Sequence, residues 1–494
     1  MPGSVTELRS DPGTPLAPGA VGLTTPLRHL ALRSPVTVPP TAPLAGALRL
    51  LDATNAEALV VTDPATRIPL GLLTLRDVLR RVAMAGLSGS ELEQPVAALM
   101  TGGLVTLPAD ANIHQATVLM VRRRLHRVVL TESDGTLYNV VSQGELHGLQ
   151  GAGSEDLVQA IIDASDVPTL ARLAGEVRRF AARRLTEGVG AEALCQWNSA
   201  LNDMIALQVL DVVEASHDVP IVPWCWLVFG SEGRLEQTLV TDQDNGIIFH
   251  AENDAEATAL RERFLPFAKA VNAALDACGF PLCKGNIMAG NPQWCLSLDE
   301  WKSVFANWVM EARPEALLNA TIFFDFRPLF GAEELAIRLR ESLFSWTTAN
   351  PAFLRSLAQI AIDVAPPLGW LRDFRYDDKQ HPGSIDIKLR GTRFFVDAAR
   401  IRALACGIAA TNTAERLRAF GLRKGGAVEE CAAPIEAFYH LVRLRLRHEA
   451  AAGSGDGGHR IAPDTLHAID RHILKEAFRQ AKLLQDVLKI EYQL

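Results

Sequence analysis

The chain has 494 residues, of which 48% are hydrophobic, and its formal net charge is −8. At roughly 100–200 residues per domain, this length predicts three or four domains, and the composition is that of a globular protein. The sequence contains no basic block, so its charge does not favour nucleic acid as a partner. It also contains no apolar run near the ~20 residues that a membrane-spanning helix requires.

The N-terminal residues 1–27 are rich in Pro, Gly and Thr, which predicts a flexible tail without the features of a secretory signal. The seven cysteines form no Cys-x-x-Cys pair, which is typical of reduced thiols and predicts a cytoplasmic protein. Cys278, Cys283 and Cys295 are the three closest in sequence, but structural zinc sites usually contain a tight ligand pair. We therefore expect no structural zinc site at these three cysteines.

An internal repeat covers residues 28–150. Each copy predicts a short strand, a helix, two apolar strands around a turn, and a second helix. Thr37 corresponds to Thr106 in the second copy, and Thr74 corresponds to Ser142. One copy is too small to bury both its helix and its sheet faces, so we expect the two copies to pack together.

The repeat resembles a tandem pair of CBS domains, a regulatory module that often binds adenosine nucleotides. The segment from Gly71 to Asp77, GLLTLRD, carries the resemblance most specifically. The resemblance implies that Thr74 and Asp77 contact the phosphate and ribose of an adenine nucleotide, where free N–H groups at a helix start suit phosphate. The second copy has Ser142 and Glu145 at these positions. A plain helix cap is the alternative in both copies, and both interpretations stay open.

The rest of the chain divides into three segments by its pattern. Residues 155–216 carry apolar residues at helical spacing, which predicts a helical linker segment. Residues 217–344 alternate between apolar strands and polar loops, which predicts an α/β domain. Residues 345–494 are helical again and predict a C-terminal helical bundle.

A Gly-Ser pair and two acids lie close together in the α/β segment. An apolar strand is predicted to run into Gly230 and Ser231, and Asp242 and Asp244 lie on or just before the next strand, so their side chains point the same way. Two carboxylates on one face favour a divalent cation, and Mg²⁺ prefers one or two carboxylates with phosphate oxygens. Gly230 lets a phosphate approach the backbone, and Ser231 offers it a hydroxyl and an N–H group. The set predicts a site for a triphosphate–metal complex.

A third acid, Asp325, lies between two phenylalanines on a predicted apolar strand. A buried carboxylate needs a cation or hydrogen-bond donors around it. One interpretation is a third metal ligand or a base that activates the acceptor. The other is an ion pair with Arg327 on the same face of the strand, and both stay open.

The run GSEGRLEQTLVTDQDNGIIF resembles the polymerase-β-type nucleotidyltransferases, with Gly-Ser, Asp-x-Asp and a later acid. More narrowly, it resembles a bacterial family of nucleotidyltransferases that carry CBS domains and are related to the N-terminal catalytic domain of the PII uridylyltransferase. The resemblance extends over residues 28–494. The roles that it implies are triphosphate binding by Gly230 and Ser231 and metal binding by Asp242, Asp244 and Asp325.

Two further sets of polar residues are open to two interpretations each. Arg234 and Glu236 match the family motif, and Arg234 either contacts the nucleotide or forms an ion pair that fixes the turn. A set in the C-terminal helices either completes the nucleotide or acceptor pocket or forms a solvated face. This set consists of Lys388, Arg390, Arg393, Arg400, Asn412 and Arg416.

We therefore expect a multi-domain protein of the α/β and α classes, with a tandem CBS pair, a polymerase-β-type nucleotidyltransferase core (217–344) with a mixed sheet, and a helical substrate-binding bundle (345–494). The expected activity is CBS-regulated transfer of a nucleoside monophosphate from a nucleoside triphosphate to an acceptor, dependent on Mg²⁺ or Mn²⁺. The acceptor is expected to be a protein such as a PII-like regulator, or a small molecule, and a homodimer is expected through the CBS pair. The alternative is a catalytically silent signalling protein that senses adenine nucleotides.

Overall fold

The computed structural model describes most of the chain, in ranges separated by gaps. These ranges are residues 25–30, 32–54, 56–74, 91–122, 125, 127–150, 155–369, 373–376, 381–423, 425, 431–452 and 459–494. The chain divides into two compact units, residues 1–156 and residues 157–494. Among the helices of these ranges, none is long and apolar enough to cross a membrane.

The first unit contains two copies of one small three-stranded sheet. In the first copy, β1 (Thr37–Val38) pairs parallel with β2 (Ala58–Thr62), and β2 pairs antiparallel with β3 (Pro69–Thr74). The second copy repeats this order and these directions with β4 (Thr106–Pro108), β5 (Arg127–Thr131) and β6 (Leu137–Ser142). The α-helices in the described residues of this unit are α1 (Leu44–Thr54), α2 (Ile113–Arg122) and α3 (Gln143–Gln150). The predicted repeat of the sheet and its first helix is confirmed, whereas the second helix predicted for the first copy lies outside the described residues.

The two copies pack against each other through the faces of their sheets. Val60 of the first copy is buried in one cluster with Val129 and Leu137 of the second. The backbone N–H of Leu137 also donates to the carbonyl of Arg67, at 3.0 Å. Since each copy alone would leave these apolar side chains in water, this contact is what makes the pair a single unit.

A four-stranded mixed sheet forms the centre of the second unit. Its spatial order is β10 (Arg327–Gly331), β7 (Trp224–Val228), β8 (Asn245–Phe249) and β9 (Cys295–Ser297). β10 pairs antiparallel with β7, β7 pairs antiparallel with β8, and β8 pairs parallel with β9. Every residue of β7 and β8 is buried, because helices cover both faces of the sheet. Such strands are continuous apolar runs rather than alternating ones.

Thirteen α-helices lie in the described residues of the range 155–494. They are α4 (Glu155–Asp163), α5 (Val167–Thr186), α6 (Ala191–Glu214), the short α7 (Gly230–Gly233), α8 (Asp254–Ala277), α9 (Leu298–Glu311), α10 (Pro314–Phe323), α11 (Glu333–Ala349), α12 (Pro351–Asp363), α13 (Arg393–Cys406), α14 (Thr413–Arg423), α15 (Ala432–Ala452) and α16 (Ala468–Tyr492). A short antiparallel pair, β11 (Ile385–Asp386) and β12 (Arg460–Ile461), joins the C-terminal helices.

The helices of residues 155–216 contribute to the same hydrophobic core as the sheet. Leu185 of α5 and Leu194 of α6 share one buried cluster with Leu227 of β7 and Leu441 of α15. These helices therefore differ from the linker segment that their pattern suggested, because their apolar faces pack inside the unit.

Asp325 was predicted to lie on an apolar strand, and this prediction is wrong, because Asp325 lies between α10 and the start of β10. Residues Pro314–Phe323 form α10, with Pro314 in its first turn and Leu317, Ala320 and Phe323 buried along it. Proline is favoured at the start of a helix, and a short apolar run does not distinguish a buried strand from a buried helix.

Several polar residues gather at one end of the central sheet. Val228, the last residue of β7, pairs with Asn245, the first residue of β8, and with Arg327, the first residue of β10. The segments that follow β7 and precede β8 and β10 therefore meet at this end, which we call the polar end of the sheet. The N–H of Phe229 donates to the carbonyl of Asp244 there, at 2.9 Å.

Candidate active site

The loop after β7 makes a tight turn at the polar end of the sheet. Gly230 has a φ of +56°, and a Cβ atom built on it would lie 3.0 Å from a carboxylate oxygen of Asp244. A Cβ on Gly233 would lie 1.9 Å from the backbone oxygen of Asp325. The turn therefore requires glycine at both positions, at the first for its conformation and for close approach to the acid, and at the second for space. Ser231, between them, is half-buried.

Asp242 and Asp244 lie together beside this turn, with a cysteine as their neighbour. The ligand atoms of Asp242, Asp244 and Cys283 all lie within 4.8 Å of one another. Asp242 is exposed, whereas Asp244 and Cys283 are half-buried. Burial, and then the charge of Asp242, raises the pKa of Asp244 to about 6. Two carboxylates held this close repel each other unless a cation or proton joins them.

A buried network of amides fixes the backbone beneath the two acids. Gln243 lies between them and donates from Nε2 to the carbonyls of Asn272 (3.0 Å) and Phe280 (2.8 Å). Asn272 donates from Nδ2 to Gln243 Oε1 (2.8 Å) and to Asn245 Oδ1 (2.9 Å). Sequence reasoning missed this network, although the alternation of acid and amide in Asp-Gln-Asp-Asn indicated that every second side chain points inward.

Asp325 does not join the two other acids. Its fully buried carboxylate accepts from Arg400 Nε (3.0 Å) and Nη2 (2.6 Å), from Arg416 Nη1 (2.6 Å) and from Arg234 Nη1 (2.8 Å). Burial alone would raise the pKa of Asp325, but the three guanidinium charges outweigh it and hold the pKa far below its ordinary range. We call these four residues the arginine cluster.

Neither role that the sequence suggested for Asp325, a metal ligand or base on the one hand and a partner of Arg327 on the other, agrees with these contacts. All the donors that it needs come from arginines, so it is not placed as a third metal ligand. Arg327, the first residue of β10, instead pairs with Asp203 of α6, at 2.6 Å, and donates to the carbonyl of Glu232. The sequence pattern could not identify these partners, because they come from segments that are distant in sequence.

Arg234 forms the ion pair that was one of its two interpretations. Besides Asp325, it contacts Glu236, at 2.7 Å from Nε. Glu236 in turn accepts the N–H of Thr413, at 2.6 Å, and Asn412 donates to the carbonyl of Arg234, at 3.2 Å. Arg234 thus joins the loop after β7 to the start of α14, and its charge also acts on Asp244.

Three of the six residues of the C-terminal set are buried and two are half-buried, so the set is not a solvated face. Arg400, Asn412 and Arg416 are buried within the contacts already described. Lys388 is exposed, and its charge acts on both Asp242 and Asp244. Arg393 pairs with Asp397 of the same helix, at 3.1 Å. Only Lys388 of these residues is thus both exposed and electrostatically coupled to the two acids.

A second contact from the C-terminal helices was not anticipated from the sequence. Glu449 of α15 is buried and accepts from the hydroxyl of Thr238 (3.0 Å) and the N–H of Leu239 (3.0 Å), in the segment before Asp242. Arg445, one turn earlier, pairs with it at 2.7 Å. Burial and the charges of Arg445 and Lys388 lower the pKa of the nearby His459 to about 4. The C-terminal helices therefore form one wall of the site.

Glu232 lies in the turn itself and is half-buried. Burial, and then the charge of Asp203, raises its pKa to about 8, and Asp244 and Asp242 act in the same direction. A carboxyl group with this pKa is largely protonated at neutral pH.

The CBS-like repeat is described only in part at its predicted nucleotide site. Thr74 ends β3, opposite Ala58 of β2, whereas Asp77 lies outside the described residues. In the second copy, Ser142 Oγ donates to Glu145 Oε2 (2.7 Å) and accepts the N–H of Glu145 (3.2 Å). This is the helix cap that was the alternative for the second copy.

Comparison with known proteins gives three family matches along the chain. Residues 175–315 match the family described as "Putative nucleotidyltransferase DUF294". Residues 351–492 match "Putative nucleotidyltransferase substrate binding domain". Residues 27–84 and 96–148 each match the CBS domain. The first match begins inside α5.

Individual relatives cover about a quarter of the chain. An uncharacterized 17.7 kDa protein from Acidianus ambivalens is 25% identical over 124 residues, which are 25% of this chain and 72% of that protein. A CBS-domain containing protein from Agrobacterium tumefaciens is 32% identical, with a TM-score of 0.22, over 24% of this chain and 89% of its own. A CBS domain protein from Pyrobaculum aerophilum, solved in complex with AMP, is 25% identical, with a TM-score of 0.22, over 25% of this chain and 89% of its own.

The family matches cover the two segments in which the polar end of the sheet and its C-terminal wall lie, and the repeat that precedes them. The chain therefore belongs to the DUF294 nucleotidyltransferase family, with its substrate-binding domain and a tandem pair of CBS domains.

Proposed function

We propose that the second unit transfers a nucleoside monophosphate from a nucleoside triphosphate to an acceptor, and that the CBS pair regulates this transfer. One observation carries the proposal. Asp242 and Asp244 bring their carboxylates within 4.8 Å of each other, beside the tight turn at Gly230, in a chain of this family.

The two carboxylates fit a divalent cation of the Mg²⁺ or Mn²⁺ type. Such ions take one or two carboxylates and complete their coordination with water and phosphate oxygens. A cation at this position would also favour the ionised form of Asp244, whose pKa burial raises to about 6. When bound, the ion supplies positive charge against the charge that develops on the phosphates.

The turn and the C-terminal wall would hold the triphosphate. Gly230 has no side chain between the backbone and the pocket, so a phosphate can approach closely. Ser231 offers its hydroxyl to the same phosphate. Lys388, whose charge acts on Asp242 and Asp244, provides a further cation. An ammonium group is suited to phosphate as a point charge.

The proposed reaction is an in-line displacement at the α-phosphorus. An acceptor oxygen forms a bond to this phosphorus, the bond to the bridging oxygen breaks, and pyrophosphate leaves. The acceptor is a hydroxyl group on a protein, such as a PII-like regulator, or on a small molecule. The nucleoside triphosphates and the seven free cysteines together support a cytoplasmic location.

In the first unit we propose that Thr74 and Asp77 bind an adenine nucleotide. Thr74 lies at the end of β3, directly before the segment in which the family pattern places the start of the next helix. A hydroxyl and free N–H groups meet at such a point and suit a phosphate. A homodimer formed through the CBS pair stays a prediction.

The activity is tested by incubating the full chain and Mg²⁺ with each of the four nucleoside triphosphates, labelled at the α-phosphate, in the presence of cell extract. Label should appear in one macromolecule or metabolite, with one nucleotide preferred, and pyrophosphate should be released in equal amount. Absence of labelling in all four reactions, with adenine nucleotide binding retained, would instead indicate a silent sensor.

A further inference from the structure

A thiol lies within the acidic site, where an all-oxygen set would suffice for Mg²⁺. The Sγ atom of Cys283 and the carboxylate oxygens of Asp242 and Asp244 all lie within 4.8 Å of one another. The acids come from the segment before β8, and the cysteine comes from the loop after α8. Neither Cys278 nor Cys295 belongs to this group among the residues that the structure describes. The donors are therefore two oxygens and one sulfur, from two separate segments.

The loop holds the sulfur in a fixed position facing the acids. The thiol donates to the carboxylate of Asp244, and the backbone N–H groups of Gly285 and Ile287 donate to the sulfur. Asn286, between them, has a φ of +54°, and its carbonyl accepts from the Trp294 ring at 3.0 Å. Burial, and then the charge of Asp244, raises the pKa of the Cys283 thiol to about 11 despite these N–H donors. A cation bound beside the sulfur and Asp244 would oppose both effects and favour the thiolate.

The loop is also tied to the strand that carries the acids. The N–H of Asn245 donates to the carbonyl of Ile287, at 3.1 Å, and the N–H of Ala289 donates to Asn245 Oδ1, at 2.9 Å. The distance between sulfur and carboxylates is therefore set by backbone contacts rather than by the thiol hydrogen bond alone. Such support from neighbouring groups is what orients ligands in metal sites.

Sulfur changes which cations this donor set selects. Mg²⁺ takes oxygen ligands, whereas thiolates select softer ions such as Zn²⁺, Co²⁺ and Cd²⁺. We propose that Asp242, Asp244 and Cys283 together bind one thiophilic divalent cation of the zinc class, with the Cys283 thiolate as the third ligand. On binding, the sulfur–metal bond forms and the thiol proton leaves to solvent. Because the same two carboxylates would hold Mg²⁺, the two kinds of cation exclude each other.

This inference rests on the proposed function only in taking Asp242 and Asp244 as metal ligands. Its test uses Cd²⁺ as the probe, because cadmium bound to thiolate has an ultraviolet charge-transfer absorption and Mg²⁺ has none. Metal-free full-length protein is titrated with Cd²⁺, and the absorption should saturate at one equivalent. Cys283→Ser should lose this absorption and bind Cd²⁺ at least about tenfold more weakly.

Two variants separate the site from the other thiols. Cys406→Ser removes a half-buried thiol elsewhere in the unit and should leave the absorption unchanged. Asp244→Asn keeps the sulfur, so the absorption should persist at saturation, but the affinity for Cd²⁺ should fall. Absorption that survives in Cys283→Ser, or an unchanged affinity in Asp244→Asn, would overturn the proposal.

A measurement on the unaltered protein makes the test independent of the folding of any variant. Cd²⁺ should protect Cys283, and not Cys406, from alkylation by iodoacetamide, as read by peptide mass spectrometry. Alkylation of Cys283 at the same rate with and without Cd²⁺ would refute the site. Nucleotide transfer in Mg²⁺ without such protection would sink this inference alone, whereas protection without transfer would leave it standing and remove the proposed function.

Discussion

Replacing Asp325 with asparagine should destabilise the second unit strongly, because this residue holds three arginines, of which Arg400 and Arg416 are buried and Arg234 is half-buried. Each carboxylate oxygen accepts two hydrogen bonds. One takes Arg400 Nε (3.0 Å) and Arg416 Nη1 (2.6 Å), and the other takes Arg400 Nη2 (2.6 Å) and Arg234 Nη1 (2.8 Å). Asparagine keeps one oxygen and replaces the other with an NH₂ group. This group is a donor and cannot accept hydrogen bonds from the two guanidinium groups in front of it. Two of the four hydrogen bonds are therefore lost.

The size of the loss follows from the charge of these donors. A hydrogen bond to a charged group contributes about 1.5–3 kcal/mol, so two lost bonds amount to roughly 3–6 kcal/mol. Removing one partner of a buried ion pair typically lowers stability by about 3–5 kcal/mol, and the two figures agree. The free energy of unfolding of Asp325→Asn, measured by urea denaturation, should fall by this amount.

A matched control distinguishes this role from a loss of charge in general. Asp218→Asn removes an acid whose partner is Arg263 and whose side chain is 88% exposed, so its free energy of unfolding should change little. Cd²⁺ or Mn²⁺ binding should survive in Asp325→Asn at concentrations of urea where the protein is folded. A variant with normal unfolding and no cation binding would refute the arginine cluster as a structural element and restore Asp325 as a metal ligand.

Three further predictions concern the turn, a buried acid and the CBS pair. Gly233→Ala should lower the free energy of unfolding by about 1–3 kcal/mol or more, because its Cβ would lie 1.9 Å from the carbonyl oxygen of Asp325. Gly190→Ala, with nothing within 4 Å of its Cβ, is the control, and equal effects in a thermal melt would contradict the steric argument. The pKa of Glu232 is raised to about 8 in the folded chain. Between the ordinary pKa of a glutamate and pH 8, the folded state therefore binds more protons than the unfolded state. The free energy of unfolding should fall as pH rises through this window. Glu232→Gln should remove that slope from urea titrations at pH 5 to 8, and an identical slope in both proteins would show that Glu232 titrates normally. In the full chain, Asp77→Ala should weaken binding of AMP, ADP or ATP on the order of 10–100-fold by calorimetry, while Glu145→Ala, which removes a helix cap, should affect binding less. No binding by any of the three nucleotides would reduce the repeat to a packing unit.

Local patterns were sufficient to predict the CBS repeat and the two acids of the site. The repeat could be predicted because Thr37 and Thr106 begin segments with the same order of apolar runs. The proximity of Asp242 and Asp244 could be predicted because they lie two residues apart next to β8, and alternate side chains of an extended segment point the same way.

The partners of Asp325 could not be predicted, since they depend on how distant segments pack. Arg400 and Arg416 lie 75 and 91 residues away in sequence. A charge on a helix is by default a solvated one, and only the folded chain shows that these two point into the core. Cys283 is a similar case. Its spacing to other cysteines argued against a metal site, but its neighbours are carboxylates from another segment.

The central claim is that nucleotide transfer depends on Asp242 and Asp244 as ligands of the divalent cation. Its most direct test is the rate of pyrophosphate release by the full chain in Mg²⁺, with the nucleotide and extract that give labelling, compared among wild type, Asp244→Asn and Asp218→Asn. Asp244→Asn removes a ligand of the cation that stabilises the charge developing in the transition state, so the rate should fall on the order of 1000-fold. Asp218→Asn should stay near wild type, and both variants should be folded. Near-normal release by Asp244→Asn would contradict the assignment of this site.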